Sequence, residues 1–221
     1  SVINLVPTMA IENVEFRQNS SAMFDEMLAH RLGLVPLKTD LDSYTFRTDE
    51  ESAANQCLLT LEAAGPGDVM SGQLQSKDPK IVPAFDMPLA HLLENQEVVL
   101  EAKAILGTGN QHMKWSPGNI WYTYEPVIQV KNKKPENKDL FPPQIFTEKG
   151  EIDKKLINSP ALVDACVDVD SNVLDISYDN EQFRFTVESY GALSAKEIVE
   201  QALQVFDGHI TNFEGVLKEL K

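Results

Sequence analysis

Cysteine is scarce in this sequence: there are two, Cys57 and Cys166, both in apolar, strand-like surroundings. Two thiols cannot supply a four-thiolate zinc or iron–sulfur site, nor the disulfide framework of a small secreted domain. Both read as small buried hydrophobes. Cations are also in short supply: 19 Lys and Arg stand against 34 Asp and Glu, a formal net charge of −15. A sequence-independent hold on a phosphate backbone needs clustered Lys and Arg, so the balance argues against direct nucleic-acid binding. The one basic run, Lys131–Lys134, is broken by Asn132 and followed by Pro135, Glu136 and Asp139, the texture of a solvated loop. No stretch approaches the roughly 18 uninterrupted apolar residues of a membrane span, and no basic-then-apolar leader opens the chain. A cytoplasmic location is the expectation.

Catalytic signatures are missing too. His30, His91, His112 and His209 are scattered, without the paired spacing of a metal site. There is no Gly-x-Ser-x-Gly and no Cys/His pairing. Gly107-Thr108-Gly109 lacks the Gly-Lys-Ser/Thr ending of a phosphate-binding loop. Asp168 and Asp170 form an isolated Asp-x-Asp, which reads as solvated. Two places still resemble chemistry. His30 and Arg31 stand side by side in DEMLAHRLGLVPLKTD, and His112 and Lys114 share the glycine-containing loop from Gly107 to Gly118.

What is present is a chain of 221 residues, 43% hydrophobic, long enough to bury one large or two modest cores. Ser1–Val6 reads as the tail of a helix that begins before this sequence. Alternation predicts a strand over Thr8–Arg17, and Asn19, Ser20 and Ser21 are N-cap candidates for a helix carrying Met23, Met27 and His30. Gly33 and Pro36 end that helix. Further strands are predicted over Cys57–Ala63, Val69–Leu74, Val98–Leu106 and Ile120–Val130, with a helical turn at Leu89–Leu93. Lys131–Pro143 is polar and proline-bearing, the mark of an exposed excursion. Asp179-Asn180-Glu181 predicts a hairpin turn between Val173–Tyr178 and Gln182–Ser189. Ser194 and Glu197 have capping-box spacing and open a helix that runs to the end of the chain. Its apolar stripe, Ile198, Ala202, Phe206, Phe213, Leu217 and Leu220, exceeds what one small sheet needs and invites a partner helix. Gly208 and Gly215 interrupt it as candidate kinks or close-packing points.

The runs VPTMAIENVEF, DEMLAHRLGLVPLKTD and FRFTVESYGALSAKEIVEQAL resemble the two ends of the alpha-like subunits of archaeal DNA-directed RNA polymerase, the D-type family. LLTLEAAGPGDVMSGQL, IVPAFDMPLAHLLENQEVVLEAKAILGTG and MKWSPGNIWYTYEP are similar, more loosely, to the inserted domain of that family. The resemblance implies an α+β fold: a discontinuous dimerisation domain, residues 1–39 and 171–221, with a mostly β domain, residues 40–170, inserted between. It implies a segment before Ser1 as well.

By the same resemblance the chain is a non-catalytic assembly subunit of DNA-directed RNA polymerase, a nucleotidyltransferase complex, that heterodimerises with subunit L. Small subunits N and P and the large catalytic subunits complete its partners. Val2, Ile3, Leu5, Ile198, Ala202, Phe206, Phe213, Leu217 and Leu220 would face subunit L. Asp25, Glu26, His30, Arg31 and Leu32 would seat a large subunit. No catalytic residue, cofactor or metal is expected, and with only Cys57 and Cys166 the iron–sulfur cluster of some relatives is not expected either. Two alternatives remain: a stand-alone small-molecule enzyme with His112 and Lys114 as acid–base groups of the 107–118 loop, and a homodimeric α+β scaffold using the same terminal helix.

Overall fold

The computed structural model describes residues 2–47, 52 and 54–219, with the backbone alone at residues 2 and 3. It is α+β with small antiparallel sheets, as expected. The chain condenses into two compact units, residues 1–120 with 187–221, and residues 121–186. These divide the chain at other places than the expected 1–39 with 171–221 and 40–170.

In the first unit, after a 3-10 turn at Val2–Leu5, come β1 (Pro7–Asn19), α1 (Asp25–Gly33), β2 (Cys57–Ala64), β3 (Gly67–Met70), β4 (Gln75–Ser76), β5 (Pro88–Leu92) and β6 (Glu97–Thr108). The main sheet has the order β1-β6-β2-β4. β1 pairs antiparallel with β6 from Pro7↔Thr108 to Asn19↔Val98, with register shifts between Ile11 and Asn13 and between Phe16 and Gln18. That long ladder is why β1 compacts with the middle of the chain.

One face of the sheet carries Val98, Leu100, Ala102 and Ala104, which alternate with half-buried Val99, Glu101 and Lys103. Onto it pack Leu28 and Leu32 of α1, with Val35, Leu37 and Ile81 from the loops. By alternation Ile105 shares the face of Glu101 and Lys103, yet it is buried, clustered there with Trp115 and Ala10.

Two local expectations fail for separable reasons. Leu89–Leu93 is predicted as a helical turn, but it is strand β5, paired with β3 from Gly67↔Leu92 to Met70↔Pro88. A short apolar run suits either form, and here tertiary pairing decides. The N-cap of α1 is Phe24, which makes no side-chain cap bond. Asn19 instead donates to the Met23 carbonyl (2.9 Å) and the Asp25 carboxylate (2.7 Å), fastening the preceding turn to the helix start.

The loop after α1 is tied down electrostatically. The Asp40 carboxylate accepts from Lys80 Nζ at 2.6 Å and Ser43 Oγ at 2.7 Å, which holds its pKa at about 2, below the ordinary 3.8. A depressed carboxylate contributes stability that is present above its unfolded value and lost as pH falls through the folded one. Wild-type urea midpoints should therefore drop more steeply between about pH 4 and pH 2 than those of Asp40→Asn; parallel curves would remove Asp40 from the acid response.

The second unit contains most of the ribbon formed by β7 (Gly118–Val130) and β8 (Leu174–Ser189), with α2 (Pro160–Asp164) in the segment between. β8 is one strand of 16 residues, so the expected hairpin at 179–181 is absent. Asp179 does make the local bond its type favours, accepting from the Glu181 N–H at 2.9 Å, but pairing with β7 keeps the chain extended.

Residues 131–140 are exposed apart from Pro135, in keeping with an excursion. Phe141 and Ile145 then turn inward to join Ile152, Ile157, Val163, Cys166, Val173 and Leu174 in a core of the unit's own. This stretch is built of 3-10 turns and one short helix rather than strands. The Cys166 thiol is fully enclosed there, and burial pushes its pKa up, as befits a packing residue.

Candidate functional site

The 25 residues of α3, Ala195–Glu219, form the longest helix, and its sequence accounts for how it begins. The chain enters through Gly191, whose φ of +100° suits glycine, and an added Cβ there would lie 2.7 Å from Ala84 and Phe85. Ser194 and Glu197 then close the expected capping box: the Ser194 N–H donates to Glu197 Oε2 at 2.7 Å and the Glu197 N–H to Ser194 Oγ at 3.3 Å. The Ser194 bonds hold the Glu197 carboxyl below its ordinary range.

Two apolar faces leave this start. The inner one is short. Ile198 is 0% exposed against Val6 and Leu193, Ala202 packs on the same cluster, and the helix lies beside the Val2–Leu5 turn. Ile198 is expected to face a partner, but the chain itself consumes it: a residue four places before Ala202 shares its face, and that face seats the helix.

The outer face is Val199, Leu203, Phe206, Ile210, Phe213 and Leu217, all between 43% and 64% exposed. Their spacing alternates four and three, the a/d pattern of a helix that packs along a partner helix. Val216 widens the stripe. Of the expected partner residues, Phe206, Phe213 and Leu217 lie on this face and Leu5 is half-buried beside the helix. Val2 and Ile3 are described by backbone alone, and Leu220 lies outside the described residues. Val199, Leu203 and Ile210 were missed; the strict four-three spacing was the signal that would have found them.

From Phe206 onward every described residue of α3 is exposed. This half is held as helix by its continuity with the seated first turns and has no buried residue among those described. Gly208 and Gly215 take the outermost position of each heptad, opposite the seam, and space is open where a Cβ would stand. The helix runs through both glycines, so they serve no close approach within the chain.

α1 presents a second outward surface. Asp25, Glu26 and His30 are exposed, while Arg31 donates to the Leu89 carbonyl at 2.9 Å and so fastens the helix to β5. Leu32, expected to help seat a large subunit, is fully buried in the core beneath. The exposed apolar side chains at this end of the chain's first helix are instead Phe24 and Met27, three residues apart.

The 107–118 loop is packed at its two ends, while residues 110–113 between them are exposed. Trp115 Nε1 donates to the Ile105 carbonyl (3.2 Å), Thr8 Oγ1 donates to the Trp115 carbonyl (2.8 Å), and an added Cβ at Gly107 would lie 2.4 Å from the indole. Lys114 Nζ is ion-paired with Glu12, bonded to the Ile11 carbonyl, and set 4.3 Å from the Trp115 ring centroid. His112 Nδ1 accepts from the Lys114 N–H and caps the local 3-10 turn.

A cleft of about 550 Å³ lies in the second unit, lined among others by Ile128, Val130, Lys133, Glu151 and Lys154, and takes no residue from that loop. Among the described residues no group of three His, Cys, Asp or Glu is placed to hold a metal ion. Nor is any helix there long and apolar enough to cross a membrane.

Residues 12–120 match the model of the RNA polymerase Rpb3/RpoA insert domain. Among curated proteins, the DNA-directed RNA polymerase subunit Rpo3 of Pyrococcus furiosus is 33% identical over 238 residues, an alignment spanning 100% of this chain and 87% of that one. The Rpo3 subunits of Methanosarcina acetivorans (36% identical; 97% of this chain, 86% of that one) and Thermococcus kodakarensis (34%; 93% and 82%) are similar over comparable spans. A helical seam exposed along its length, a loop locked by its own tryptophan and likeness over nearly the whole chain agree: this chain belongs to the Rpo3 family of DNA-directed RNA polymerase subunits.

Proposed function

We propose that the chain is a non-catalytic assembly subunit of a cytoplasmic DNA-directed RNA polymerase, and that the outer face of α3 heterodimerises with subunit L. The small subunits N and P and the large catalytic subunits then join, the exposed side of α1 serving a large subunit. The observation that carries this reading is the unsupported seam Val199–Leu217, whose outer half has no packing of its own among the described residues.

The flank of the seam favours a different chain over a second copy. Glu200, Asp207 and Glu214 recur every seven residues on one side, whereas Ala202, His209 and Val216 hold the other. Two copies packed antiparallel would set acid against acid along the contact, a cost a partner with basic flanking residues avoids. Co-expression with an archaeal subunit L should yield a stable 1:1 heterodimer by sedimentation equilibrium. A monodisperse monomer with no affinity for L at micromolar concentration would sink the reading.

A further inference from the structure

The second unit carries a surface that neither the seam nor the family likeness explains. On the β7–β8 ribbon, Tyr122 and Tyr124 meet Phe183 and Phe185 in one connected set of rings, with centroids 5.8 Å apart for Tyr122–Phe183, 5.9 Å for Tyr122–Phe185 and 5.1 Å for Tyr124–Phe183. Their exposure is 55%, 39%, 49% and 67% in that order. Four large rings in mutual contact with water on top are a recognition patch rather than scattered surface apolars.

The charges around the rings indicate what they accept. Between Trp121 and Val130, and between Leu174 and Thr186, the sole cation is Arg184. It is paired with Glu125 at 2.7 Å, and Asp175 is paired with Lys131 at 3.0 Å. Asp179 and Glu181 have no cation within ion-pair distance among the described residues, and by strand alternation Glu181 shares the face of Phe183 and Phe185. Electron-rich ring faces beside unmatched carboxylates suit a guanidinium that stacks on a ring while its N–H groups reach an oxygen. A nucleic acid would use the rings but meet carboxylates where it needs cations. A second copy would bring the same unmatched acids.

We infer that the Tyr122, Tyr124, Phe183 and Phe185 face is a docking site for an arginine-bearing segment of another polypeptide. The four ring residues all lie on the ribbon.

The test titrates the full chain with an Arg-Leu-alternating nonapeptide, and with Lys-Leu and Glu-Leu counterparts, reading the ring resonances of Tyr122 and Tyr124. Saturable binding of the arginine peptide is expected, weaker for lysine and absent for glutamate. The net charge of −15 attracts any cationic peptide, so the deciding variant leaves charge unchanged. Tyr122→Ser with Phe185→Ser should weaken arginine-peptide binding by about threefold or more per ring lost, from the strength of exposed cation–π contacts. Glu181→Lys should weaken it with the rings intact, and a far-ultraviolet spectrum confirms that each variant is folded. Binding that survives the double substitution, equal binding of the glutamate peptide, saturable binding of oligouridylate at the same rings, or self-association through them would each overturn the inference.

Discussion

Phe206→Asp and Phe213→Asp are each expected to abolish or strongly weaken the 1:1 complex with subunit L while leaving the isolated chain folded. The two rings sit two turns apart on the seam, either side of Ile210, 49% and 64% exposed, and neither is a member of the core clusters of the described residues. An exposed site tolerates a carboxylate, so the free subunit should unfold within about 0.5 kcal/mol of wild type. In a helix-to-helix contact the same carboxylate would be buried without a partner, where losses at central aromatic positions run to about 2–4 kcal/mol, tens to hundreds of fold in affinity. Substitution on the far side gives the contrast. Gly208→Ala faces open space and should leave affinity unchanged. If both aspartate variants bind L like wild type, the seam is not the interface. If they unfold the free subunit, the rings are packing on something within the chain.

How much of this could be read in advance depends on which forces decide each element. The capping box at Ser194 and Glu197 was legible because it is settled within four residues, and it is present bond for bond. Strands β1, β2 and β6 were legible because their residues alternate in polarity along the chain, and β7 because it is rich in aromatic residues. The β5 run and the 179–181 turn were not, since each is ambiguous locally and is decided by a distant strand.

For the candidate interface, the sequence revealed that α3 has apolar surface to spare. It did not divide that surface into the part closed by Val6 and Leu193 and the part left open, because Val6 lies at the other end of the chain. The same lack of long-range knowledge put Leu32 on the surface, when the main core of the first unit buries it. His30 and Arg31 looked like a catalytic couple because adjacency in sequence resembles adjacency in space. In the fold Arg31 reaches a backbone carbonyl of β5 while His30 faces solvent.

The division of α3 into two faces leads to the opposite kind of result at Ile198. Ile198→Ala is expected to destabilise the free subunit itself, by about 2–5 kcal/mol, through lost transfer energy plus the cavity left among Val6, Leu193 and Ala202. This side chain is 0% exposed and sits one turn into the helix, so it is the main bolt between α3 and the rest of its unit. Loosening it frees the seam from its mounting, and complex formation should fall only as far as the helix base is unfolded. Saturating L should therefore restore much of the lost stability, since a ligand that binds the folded state alone stabilises it by mass action. The aspartate variants behave in reverse, stable alone and unresponsive to L. Chemical unfolding of the three variants with and without L separates the cases. An Ile198→Ala chain as stable as wild type would mean that α3 is seated by something other than this cluster, whereas one that gains nothing from L would mean that Ile198 belongs to the partner face after all.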